Sequence, residues 1–220
     1  MAARLAEIEA AAAAHGLQLF GGFHPEAEDS APPATGTLVL LGPAEGGAMW
    51  HRFTASPEWQ DGAPDPLDRW SRRVIGAIAA RLGAIALFPS DGPPYPPFLA
   101  WARRTGRAWF SPVGMLVHES AGLMVSFRGA LALPDRLALP RPQIASPCDA
   151  CAGRPCLSAC PVGALGPDRY DVAACCGHLA AAAREACMRR GCVARRACPL
   201  SAPHIRPEEQ SAHHMKAFLK

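Results

Sequence analysis

Apolar residues recur at helical spacing most clearly between Pro66 and Leu82. Leu67, Trp70, Val74, Ile75, Ile78 and Leu82 fall on one stripe, and Gly83 supplies the stop. The alanine-rich stretch from Ala2 to His15, ended by Gly16, predicts an amphipathic helix, and Phe98 to Arg104 a shorter one before Gly106. A further short helix is expected around Met49, Trp50 and Phe53. Unbroken apolar runs predict strands at Leu17 to Phe20, at Thr37 to Leu41 before Gly42-Pro43, and at Ala84 to Phe88. Gly114 to His118 and Leu123 to Ala132 are expected to form two antiparallel strands joined by Glu-Ser-Ala-Gly. Pro25 to Gly36, Pro57 to Pro66 and Pro89 to Pro97 are too rich in proline or acidic residues for regular structure and are expected to be loops.

This pattern predicts an α+β protein whose N-terminal domain, residues 1–145, is a layered α/β or α+β unit. Beyond Leu133 the chain turns rich in proline and then in cysteine. Residues 146–220 carry few large apolar side chains and predict a small, mostly helical domain whose core is what the cysteines hold.

All nine cysteines lie between Cys148 and Cys198. The first four read Cys148-x2-Cys151-x4-Cys156-x3-Cys160-Pro161, close to the run with which bacterial ferredoxins wrap an iron–sulfur cubane. The longer middle gap, Ala-Gly-Arg-Pro, is absorbed by a Gly-Pro turn. Cys175, Cys176, Cys187, Cys192 and Cys198 form a looser set, and Cys198 again precedes a proline. Two Cys-Pro steps suggest half-motifs that exchange their last ligand. Cys148, Cys151, Cys156 and Cys198 would hold one [4Fe–4S] cluster. Cys160, Cys187, Cys192 and one of the adjacent pair Cys175/Cys176 would hold the other. Four-cysteine zinc sites are the alternative, although structural zinc usually takes two separated pairs of ligands. Disulfides would need an oxidising compartment.

A net charge of +3, from 22 basic and 19 acidic groups, gives no strong nucleic-acid signal. The basic groups are unevenly placed: Arg184, Arg189, Arg190, Arg195 and Arg196 sit among the last cysteines. They either offset the charge of an anionic cluster or form a solvated helix face. No apolar run is long enough for a membrane span. The first fifteen residues lack the pattern of an export signal, and with reduced thiols this predicts a cytoplasmic protein. There is no dinucleotide fingerprint, phosphate loop or serine nucleophile elbow; Gly42 to Gly47 reads as a turn.

The stretch Gly106-Arg-Ala-Trp-Phe-Ser-Pro-Val-Gly-Met-Leu-Val-His118, then Gly122-Leu-Met-Val-Ser-Phe-Arg-Gly129, then the cysteine run, resembles epoxyqueuosine reductase and its relatives the corrinoid-dependent reductive dehalogenases. The resemblance covers roughly residues 90 to 200. It implies a nitroreductase-like N-terminal domain that binds cobalamin over a two-cluster ferredoxin module, with electrons passing from cluster to cobalt to substrate. It also implies a catalytic acid upstream of the tryptophan, for which Asp91, followed by Pro93, is the candidate. His118 becomes a candidate cofactor contact, with a hydrogen-bonded strand-end histidine as the plainer role. The family's Gly-Lys-Asn block is replaced here by Ser111-Pro-Val-Gly114, Arg195 stands near an expected cysteine, and the helical repeats that grip transfer RNA are absent. Among the other histidines, His178 follows Cys175-Cys176-Gly177 and could reach a cluster sulfur, whereas His213 and His214 read as exposed.

Three functions follow. The first is a ferredoxin-like electron-transfer protein with two [4Fe–4S] clusters, serving a redox partner protein. The second is a corrinoid-dependent reductase, an oxidoreductase fed by those clusters. The third is a non-redox interaction module stapled by cysteine-bound zinc.

Overall fold

The computed structural model describes residues 2–142, 145–181 and 185–219. In chain order the helices and strands are α1 (Ala2–Ala13), β1 (Leu17–Phe23), β2 (Thr37–Pro43), α2 (Ala48–Thr54), α3 (Pro57–Gln60), α4 (Pro66–Leu82), β3 (Ile85–Leu87) and α5 (Phe98–Arg104). Then come β4 (Ala108–Phe110), β5 (Leu116–His118), β6 (Gly129–Leu133), α6 (Val172–Ala180), α7 (Glu185–Arg190), α8 (Val193–Ala197) and α9 (Glu208–Phe218). The protein is α+β and divides into two compact units, residues 1–107 with 126–144, and residues 108–125 with 145–220.

The first unit is built on a four-stranded sheet in the order β1-β2-β6-β3, in which every pairing is antiparallel. β2 is central, and Leu38, Val39, Leu40 and Leu41 are all fully buried. That is why its sequence reads as one unbroken apolar run rather than an alternation. Side chains alternate between sheet faces. Val39 and Leu41, with Leu131 and Leu133 of β6, join a core shared with Ile8 of α1, Met49 and Phe53 of α2, and the apolar stripe of α4. The stripe itself is buried as its spacing predicts: Leu67, Trp70, Val74, Ile75, Ile78 and Leu82 are all within 7 % of full burial. Gly83 ends α4 in the left-handed conformation, its N–H returning to Ala79 and Ala80 carbonyls. Gly16 links α1 to β1 at a φ of +70°, and a Cβ there would collide with the backbone of Met49.

The second unit contains a two-stranded sheet, β4 with β5, followed by short helices and turns that carry the cysteines. The expected pairing of Gly114–His118 with Leu123–Ala132 does not form. The turn between them is present: His118 and Gly122 exchange backbone hydrogen bonds of 3.0 and 2.9 Å. But β5 pairs instead with β4, and the chain beyond the turn leaves the ladder at Met124, whose N–H closes back on Ala121. Only Gly129–Leu133 is strand, and it lies between β2 and β3 in the other unit. Consequently residues 108–125, expected within the domain 1–145, group with the cysteine-bearing chain. The expected loop from Pro57 to Pro66 also contains a helical turn, α3, started by its N-terminal proline.

Candidate metal centre

Four cysteines line one cavity: Cys148, Cys151, Cys156 and Cys198, with Ser111, Pro112, Val117, Leu123, Arg154, Pro155 and Pro199. Its empty space is about 280 Å³ including the open mouth. Cys148, Cys151 and Cys156 come from one loop. The Cys148 N–H donates to Ser146 Oγ at 3.2 Å, Cys151 N–H returns to the Cys148 carbonyl, and Cys156 sits in a 3₁₀ turn, Pro155–Leu157. Cys198 arrives from far downstream, at the C-terminal end of α8, and is followed by the 3₁₀ segment Pro199–His204. Burial pushes the Cys148 and Cys156 thiols up, and their proximity to one another and to Cys198 and Cys151 adds to this. A bound cation reverses that penalty, because a coordinating thiol is deprotonated outright.

Cys160 does not join this cavity's lining. It is instead among the thiols that act on Cys175. Burial pushes the Cys175 thiol up, the Tyr170 hydroxyl offsets part of this by hydrogen bonding to it, and Cys192, Cys176 and Cys160 push it further. Cys187 is raised by burial and by Cys192 and Cys175, while the N–H of Val193 and the guanidinium of Arg196 lower it. Cys160 Sγ accepts a 3.3 Å hydrogen bond from Ala164 N–H. Asp171 caps α6, accepting from Ala174 N–H at 2.9 Å, and sets the helix phase that turns Cys175 toward Tyr170. Cys176, one residue on, is rotated by about 100° around the helix.

The connection between the two groups is α8. Cys192 is its N-cap and Cys198 its C-cap, so one five-residue helix presents a thiol to each group. Its Ala194 is fully buried against the 3₁₀ turn that carries Cys156. Arg195, near the position where the resemblance expects a cysteine, donates instead to the carbonyls of Leu123 and, at 2.9 Å, Val125. Arg206 reaches the Met124 carbonyl, and Ser201 Oγ accepts from Leu123 N–H at 3.0 Å. Gly122 makes this approach possible: at φ +55°, a Cβ there would stand 2.6 Å from Ser201 N. The segment 108–125 is thereby fastened to the cysteine-bearing chain.

The remaining candidates have other surroundings. Asp91 accepts from Phe88 N–H at 2.8 Å on one oxygen and pairs with Arg72 at 2.6 Å through the other. That is the arrangement of a turn anchor, with Arg72 also lying 4.9 Å over the Phe88 ring. His118 is buried, and its Nδ1 accepts from Ser120 N–H at 3.2 Å. Its role there is to brace the turn to Gly122. His178 is half-buried on α6, and the His213 and His214 rings meet edge to face on α9. Arg189 pairs with Glu208 at 3.1 Å, and Arg184 lies outside the described residues. Among the described residues, no group of three or more Cys, His, Asp or Glu side chains is placed to hold a single metal ion. A cubane asks for a different arrangement, since its four thiolates take four different irons and surround a cage. All nine cysteines are free thiols.

Sequence reading missed Ser111, Tyr170 and the clamping role of Arg195. Ser111 stood in a stretch read for its resemblance and Tyr170 in an unremarkable turn; neither has a spacing that marks it. No protein-family model and no curated protein matches the chain. No helix among the described residues is long and apolar enough to cross a membrane.

Proposed function

We propose that this chain is a ferredoxin-like electron-transfer protein whose C-terminal unit holds two [4Fe–4S] clusters. One set is Cys148, Cys151, Cys156 and Cys198; the other is Cys160, Cys175, Cys187 and Cys192. The observation that carries the reading is the cavity that gathers three thiols of one loop with Cys198 and leaves out Cys160. A chain stapled by local four-cysteine sites would keep Cys160 with its own loop. Exchanged ligands hold two clusters close together, which favours electron passage between them. The clusters supply one-electron chemistry. The protein holds their thiolates, shields one face with Val117 and Leu123, and sets a guanidinium, Arg196, beside Cys187. The electron donor would be a low-potential redox partner. Cobalamin and a substrate are not needed for this role, and Asp91 is not assigned a proton-transfer step in it.

Anaerobic purification with metal and sulfide analysis tests the reading. About eight irons and eight sulfides per chain are expected, with an EPR signal from coupled clusters after dithionite reduction. Zinc without sulfide would overturn it and leave the stapled interaction module. A corrinoid spectrum retained after purification with cobalamin would favour the reductase.

A further inference from the structure

Ser111 starts the turn between β4 and β5. Its backbone is fully engaged: its N–H donates to the Met115 carbonyl at 2.8 Å, and its carbonyl accepts from Gly114 N–H at 2.9 Å. The residue is only 7 % exposed, and its hydroxyl oxygen is buried without any hydrogen-bond partner. Native proteins seldom leave such a group unpaired, because it has given up water and gained nothing. Ser111 lines the four-cysteine cavity. The other side chains lining it are aliphatic or proline, apart from an exposed arginine that has nothing to accept with, so sulfur is the only side-chain acceptor on offer. A neutral thiol is a weak acceptor. A thiolate or cluster sulfide is anionic and takes a short, strong hydrogen bond from a hydroxyl.

The geometry points to Ser111 as the hydroxyl that donates to the cluster held by Cys148, Cys151, Cys156 and Cys198, and so raises its reduction potential. The inference rests on the two-cluster reading. Reduction adds one electron, drawn from the external donor, and with it one negative charge on the cluster; no proton moves. A donor fixed at its edge stabilises the reduced state more than the oxidised one. Ser111 is a positioning and tuning group rather than a ligand, and its backbone is held by its hydrogen bonds to Met115 and Gly114.

The experiment is an EPR-monitored redox titration of anaerobic wild type, Ser111→Ala, Ser111→Val and Ser111→Thr, each with its iron and sulfide content. The Ala and Val chains are expected to keep about the same iron and to show one of two potentials shifted downward, the other unmoved. The Thr chain, which retains the hydroxyl, is expected to titrate like wild type. Loss of one cluster in both Ala and Val with full loading in Thr also places the hydroxyl on that cluster. Unchanged potentials in a fully loaded Ala or Val chain would overturn the inference while leaving the clusters in place. Wild type without iron and sulfide would instead overturn the reading beneath it.

Discussion

At the scale of single residues, the adjacent thiols of Cys175 and Cys176 are the sharpest case. Sequence spacing leaves the pair undecided, because both fit. Tyr170 hydrogen-bonds to Cys175, and on the proposed two-cluster reading this makes Cys175 the ligand. Cys176→Ser is therefore expected to keep the full iron content, and Cys175→Ser to lose about half of it, measured by anaerobic iron analysis. Equal losses would mean that the helix is turned differently when the cluster is bound. The crossed arrangement makes a second demand. Cys198→Ala should remove the same EPR signal as Cys148→Ala, despite their distance in sequence. Cys160→Ala should remove the signal that Cys187→Ala removes. If Cys160→Ala and Cys148→Ala abolish the same signal, the ligands are local and the cavity has been misassigned.

At the scale of elements, the regular pieces were legible where burial is one-sided or complete. α4 and α5 begin and end as predicted, because each has an apolar stripe and a clear stop. β2 was legible because a central strand buried on both faces reads as an unbroken run. The hairpin partner of β5 was not. β4 is three residues long, and its flanking Gly106 and Pro112 mask its alternation. The long run from Leu123 to Ala132 looked like the better partner only because burial by arginine and cysteine loops is indistinguishable, in sequence, from burial in a sheet. α8 was equally opaque, since five residues carry no period. Its cohesion comes from Arg195, which satisfies two carbonyls of the segment that ends at Val125. Arg195→Met keeps the stem and removes both charge-assisted hydrogen bonds. It is expected to cost about 2–3 kcal/mol in the C-terminal unit, read from anaerobic denaturant unfolding. A change below about 0.5 kcal/mol, the usual range of a surface substitution, would mean that the clamp is incidental.

At the scale of the whole molecule, the two units draw their stability from different sources. The first has a continuous apolar core and no cysteine. In the second, the central apolar cluster is small: Val113, Val117, Leu123, Leu165 and Ala194 surround Cys156, with Cys148, Cys160, Cys192 and Cys198 packed against it. This unit was legible as the cysteine-bearing one, but its membership was not. Residues 108–125 carry no cysteine, and they join it through Ser201, Arg195 and Arg206, contacts that have no sequence period to announce them. Where metal binding supplies much of a core, its removal is an unfolding step. Hydrogen exchange before and after anaerobic removal of iron by a chelator and oxidant follows this directly. Protection should fall in residues 145–181 and 185–219 and, with them, in residues 108–125. Protection in β2, β6 and α4 should hold. The discriminating stretch is 116–123. If β5 and the turn to Gly122 keep their protection when the cysteine-bearing chain loses its own, the segment holds without that chain, and the fastening to α8 and Ser201 is secondary. If it opens together with α8, one cluster-dependent folding unit has been assembled from two separate stretches of chain.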